Sequence, residues 1–175
     1  MNFQFYLEKL MAGGEFINFK KENEDAFCCS GFFVIDRENS KNPQDKQHFD
    51  YLVPSENKMY SFSLENGVKK IPVEMFGSAE PEKIALNYDF DFNEVEEEIE
   101  NKIIEKKVKG KITKILYSMQ RLDGKDYLVG TVFLSMLGML KIHYDINEKE
   151  IVLFEKRSFM DMLKITGKKK EKKEE

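Results

Sequence analysis

With 175 residues the chain has room for one domain or two small ones, and a hydrophobic fraction of 41% with 15 Phe supplies a core and excludes wholesale disorder. Charged residues make up 34% but cancel to −4, which describes a solvated mixed surface better than a polyanion-binding face. Lys greatly outnumbers Arg, so the planar bidentate contacts of specific nucleic-acid recognition are poorly provided for.

Met1 to Tyr6 lacks the basic flank and long apolar run of a signal peptide, and no stretch approaches membrane-spanning length. Cys28 and Cys29 are adjacent, a poor arrangement for a disulfide framework or a metal knuckle, and read as small core residues. The expectation is a soluble cytoplasmic protein with no membrane partner.

Phe3, Tyr6, Leu7 and Leu10 predict a short N-terminal helix closed by Gly13-Gly14. Glu15 to Lys21 reads as a strand, and Ala26 to Ile35, apolar on both faces, as a central one. After a polar loop, Asp36 to His48, strands are expected over Asp50–Val53 and Met59–Leu64. Asn66-Gly67 is a strong hairpin signal. It delivers Val68 to Met75, an edge strand because Pro72 has no N–H for a central ladder. Residues 77–87 read as a linker with a short helix from Pro81 to Leu86.

The best-specified element lies between Asp91 and Gly110. Phe92, Val95, Ile99 and Ile103 recur at the spacing of one helix face. Asp91 or Asn93 can cap it, its front is acidic and its back basic, and Gly110 is placed to end it. Strand-like runs follow at Ile112–Gln120, Tyr127–Leu134, Met139–Tyr144 and Glu150–Phe154, with Asp123-Gly124 a second strong hairpin signal. The fold class is therefore α+β. Two similar halves, 1–76 and 88–165, each set a helix on a four-stranded antiparallel sheet, followed by a short C-terminal helix and a disordered Lys/Glu tail over 166–175.

A tandem duplication is expected. Phe27 and Phe33 align with Tyr127 and Phe133, Phe16 and Phe19 with Leu116 and Met119, and Tyr51, Val53, Tyr60 and Phe62 with Ile142, Tyr144, Ile151 and Leu153. The helix Asn93–Lys109, the strand Lys111–Gln120, Asp123-Gly124 and the closing Tyr144–Ile151 together resemble PepSY-like or cystatin-like helix-plus-meander modules. That resemblance implies a compact α+β unit and rests on pattern.

Catalytic, metal and cofactor sites are not expected. Asp89 to Glu100 superficially matches a calcium loop, but Glu94 and Glu96 stand where the loop needs Gly and an apolar residue, and helix capping explains the acids. His48 and His143, the two histidines of the chain, lack a nucleophile–base or ligand set at recognisable spacing and read as surface residues. The glycines form no phosphate-cradling pattern. Met136-Leu137-Gly138-Met139-Leu140 suits a partner contact or a buried strand connection, and the second is expected.

The leading function is a non-catalytic interaction or regulatory protein that binds a protein partner or itself. Its contacts are expected on the edge strand at Val68, Lys70, Val73 and Met75. The alternative is a small-ligand-binding or enzymatic cone-like fold with an apolar pocket between helix and sheet.

Overall fold

The computed structural model describes residues 2–39, 41, 43–74 and 81–158. Three helices, α1 (Phe3–Met11), α2 (Gly14–Glu22) and α3 (Phe92–Glu105), accompany β1 (Phe27–Asp36), β2 (Lys46–Val53), β3 (Lys58–Ser63), β4 (Lys69–Val73), β5 (Ile112–Leu122), β6 (Lys125–Leu134), β7 (Gly138–Asp145) and β8 (Glu150–Ser158). The strands form one 8-stranded sheet in the order β4-β3-β2-β1-β5-β6-β7-β8. Every neighbouring pair is antiparallel. Two meanders thus meet first strand to first strand, with Phe33 opposite Tyr117 at the junction.

The α+β class and the antiparallel sheet stand as expected, but the sheet is continuous across both halves. All three helices contribute to one core with the same sheet face. The Phe33 ring lies tilted 4.9 Å from Phe92 and edge-on 5.5 Å from Phe49, and Phe92 lies 5.6 Å from Tyr117. Phe3, Phe33, Phe49, Phe62, Phe92 and Tyr117 are each under 2% exposed. Aromatic rings therefore fill the space between helices and sheet, and truncating one such as Phe92 to Ala costs ~3–5 kcal/mol.

The helix α3 begins where Asp91 accepts from the Asn93 N–H at 2.8 Å. It closes earlier than Gly110. Lys107 takes the left-handed conformation at φ 52, while Val108 N–H donates to Ile103 at 2.9 Å and Lys107 N–H to Ile104 at 3.0 Å. That double bond pattern is a Schellman closure. Asp123 and Gly124, at φ 50 and 78, form the expected two-residue hairpin between β5 and β6.

Two elements differ from the sequence reading. Glu15 to Lys21 is helical, because Phe16 and Phe19 share one helix face and pack as a pair against Tyr51 and Phe62. Gly13 caps this helix instead of ending the first. A Cβ there would lie 2.4 Å from Val68, so only glycine allows the approach. The proposed residue matches between the halves fall with that strand, since they pair β1 with β6 and β2 with β7, whereas the sheet order makes β1 the counterpart of β5.

The second difference is Pro81 to Leu86, which is extended. Ile84 N–H donates to the Cys28 carbonyl at 3.0 Å, and the Ala85 N–H donates to Asp126 at 2.9 Å. Tertiary partners take the donors that a helix would have used. Residues 77–80 of the proposed linker, the C-terminal helix, the tail and Met75 lie outside the described residues.

Candidate interaction surface

Side chains alternate across a strand, so the face opposite the helices carries His48, Asp50 and Leu52 on β2, opposite Ser63, Ser61 and Met59 on β3. Those polar residues form one network. His48 Nδ1 is 3.3 Å from Ser61 Oγ and His48 Nε2 is 3.1 Å from Glu65 Oε1. Burial raises the Asp50 carboxyl above its ordinary range, partly offset by hydrogen bonds from Ser61 and Ser30 and by the nearby His48. Burial also opposes charge on Glu65, but the Gln47 N–H, donating at 2.9 Å, and His48 together hold it below its usual value.

Ser, His and Glu in contact invite comparison with a hydrolytic triad, and the geometry argues otherwise. Ser61 meets Nδ1 while Glu65 meets Nε2, and Ser61 is only 5% exposed on an inner ladder. At that exposure the Ser61 hydroxyl, which also hydrogen-bonds the Asp50 carboxylate, is closed to a substrate. The arrangement ties β2 to β3 and to the Glu65 turn.

The other histidine is half-buried rather than at the surface. His143 packs 6.1 Å from the Tyr127 ring, and burial, then Lys141, pushes its pKa down. Asp145 does not serve it. Its Oδ1 accepts from the Asn147 and Glu148 N–H groups at 3.0 and 3.1 Å, capping the β7–β8 turn. The acids before α3 are a helix start, with Asp89 accepting from Asn2 at 2.9 Å.

The sheet has two edges, β4 and β8. The strand with Pro72 is terminal, and two of its named residues, Val68 and Lys70, are engaged within the chain. Val68 packs on Gly13. The Lys70 ammonium sits 5.7 Å from the Phe19 ring centroid and 5.2 Å from that of Tyr60. The Lys70 N–H donates to Glu15 at 2.7 Å. Since N–H groups alternate in direction along a strand, Lys70 and Pro72 point the same way, away from β3. One of those donors is taken and the other does not exist. Val73 faces its ladder partner Met59.

At the other edge, β8 runs for 9 residues beside β7 alone. Val152 is 50% exposed at a bulge where Ile151 and Leu153 both have ladder partners on β7. Sequence reasoning singled out β4 through Pro72. The network around His48 was half legible, since His48 and Asp50 are two apart on one strand, while Ser61 and Glu65 join only through the β2–β3 register.

No protein-family model and no curated protein matches the chain. Among solved structures, the chain is similar to a "putative lipoprotein" from Clostridium difficile 630, with a TM-score of 0.52 and 18% identity over 81% of this chain and 90% of that one. At that identity the likeness concerns the fold. No helix among the described residues is long and apolar enough to cross a membrane.

Proposed function

We propose that this chain is a non-catalytic interaction or regulatory protein that pairs through the β8 edge, with a second copy of itself or with an extended segment of a protein partner. The observation that carries the reading is the contrast between the edges. At β4 the outward N–H of Lys70 is held by Glu15 and Pro72 has none, while β8 offers a full-length strand with an exposed Val152. Strand addition draws affinity from backbone bonds and selectivity from alternate side chains. In a symmetric pair with its two-fold at Leu153, Glu150 would stand opposite Lys156 of the partner subunit, opposite charges that favour the match.

We also propose that the halves arose by tandem duplication. The repeated order of helix and four-strand meander supports this, as does the antiparallel β1–β5 seam, which relates the halves by an approximate two-fold. A pocket-forming ligand binder is less well supported, because the aromatic core occupies the space such a pocket needs.

Sedimentation velocity across a concentration series tests the pairing. Val152→Lys adds charge at the β8 edge without touching the core and is expected to weaken association about tenfold, within the range that edge charges impose. Association that persists unchanged in the folded variant removes β8 as the interface.

A further inference from the structure

The turn between β6 and β7 holds two large apolar side chains outward. Met136 and Leu137 are 86% and 79% exposed, not the buried connection their sequence suggested. Both occupy the left-handed region, at φ 67 and 59. Unlike Asn or Gly, Met and Leu have nothing to offset that conformation, and the hairpin after β5 uses Asp123-Gly124 for the same need. An exposed, strained apolar tip gains nothing for the isolated fold.

The loop after α3 is fixed beside this tip. Ser135 N–H donates to the Lys111 carbonyl at 2.8 Å, and Lys111 N–H donates to Ser135 Oγ at 2.9 Å. A Cβ on Gly110 would meet the Ser135 carbonyl at 2.9 Å, so the two loops lie in direct contact. This second loop brings exposed Lys106, Lys107, Lys109 and Lys111, and α3 adds Ile104 at 74% exposure. Lys106 pairs with Glu105 at 3.3 Å. Lys107, Lys109 and Lys111 have no ion pair among the described residues. Glu38 lies beside the tip, and Glu96 and Glu100 line the cleft that holds Ile104 and Lys111.

We propose that this end of the molecule docks on an anionic lipid bilayer, with Met136, Leu137 and Ile104 entering the interface and the free lysines facing the headgroups. The tip protrudes, and a protruding pair of flexible aliphatic side chains suits a deformable interface. Protein-binding hot spots instead favour Trp, Tyr and Arg. Lysines attract diffuse headgroup charge without needing planar geometry. Neither element suffices alone, since a small apolar insertion and a short basic cluster each give marginal, reversible binding. The sequence expectation of no membrane partner rests on the lack of a membrane-spanning run, and the lysines read there only as the basic end of the helix. The proposal does not rest on pairing through β8, although Ser158 at the end of that strand pairs with Gly138 beside the tip.

The test is co-sedimentation of the full chain with phosphatidylcholine vesicles and with vesicles in which about a third of the lipid is phosphatidylglycerol. Binding is expected on the anionic vesicles, with weakening at raised salt. Met136→Asn/Leu137→Gly supplies residues that this turn accepts, so the fold is kept, and it is expected to lower vesicle affinity tenfold or more. Lys107→Gln/Lys109→Gln/Lys111→Gln is expected to lose on the order of fivefold per lysine. Failure to bind anionic vesicles, equal binding to neutral ones, or unchanged binding by either variant overturns the proposal. The last outcome would assign binding to the Lys-rich carboxy-terminal sequence, and failure to bind vesicles would turn attention to an acidic protein surface.

Discussion

The Lys70 backbone N–H donates to the Glu15 carboxylate at 2.7 Å, so a residue of α2 closes the outward side of the sheet's first edge. Two residues on, Pro72 has no donor to close. A strand that would otherwise template pairing is thereby shielded by one side chain and one ring.

Glu15→Ala removes half of that shield. Loss of the charge-assisted bond at this exposed site is expected to cost about 1 kcal/mol in urea denaturation. The larger effect is new association through β4, read by sedimentation at rising concentration. A variant that loses stability yet sediments as wild type would show that Glu15 only anchors α2.

Asp50 gives the sheet a pH signature. Its folded-state pKa is raised, by burial first, so between its unfolded and folded values the native state holds more protons than the unfolded chain. Stability from this group is full below the unfolded value, about 3.9, and is lost as pH rises through the raised folded one. Asp50→Asn cannot titrate and keeps an acceptor for Ser61. Relative to wild type it is expected to gain stability at neutral pH, with the gain vanishing as pH falls toward 4. A difference between the two proteins that does not change with pH would contradict this origin.

Asp126 is 0% exposed and fully used. Its Oδ2 accepts from the Ala85 N–H at 2.9 Å and the Tyr88 hydroxyl at 2.8 Å, and its Oδ1 from Arg121 at 3.0 Å. One carboxylate thus staples the extended segment before α3 to β6. Removing one partner from a buried charged network costs ~3–5 kcal/mol, and Asp126→Ala is expected to fall there in denaturant melts. Limited proteolysis between Pro81 and Phe90 should accelerate in parallel, and an unchanged cleavage rate would separate Asp126 from that segment.

The β6–β7 turn offers the opposite sign. Met136→Asn/Leu137→Gly relieves two left-handed residues that cost about 1–2 kcal/mol each, against a small entropic loss from the added glycine. A net gain of roughly 1–3 kcal/mol is expected in thermal or urea unfolding. A loss would mean that Met136 and Leu137 pack in the native state more than their exposure indicates.

Periodicity was enough to read α3 and the second meander, because Phe92, Val95, Ile99 and Ile103 mark one face and Asp123-Gly124 can hardly do anything but turn. The same rule misread α2. Ile17 and two Phe raised its strand character, and Gly13-Gly14 looked terminal, while the contact that requires Gly13 comes from Val68, far along the chain. Pro81 to Leu86 failed for a related reason, since its partners Cys28 and Asp126 are fixed only by the tertiary fold. Pro72 revealed an edge without showing that Glu15 guards it. The surface left for pairing, β8, carried no turn or proline to mark it as terminal.

The central claim is that association uses β8, and amide hydrogen exchange followed by NMR over a concentration series reads it most directly. Protection is expected to rise with concentration at the outward amides between Glu150 and Ser158, while Lys69 to Val73 stays constant. Association accompanied by new protection at β4, or by no change along β8, would contradict the account.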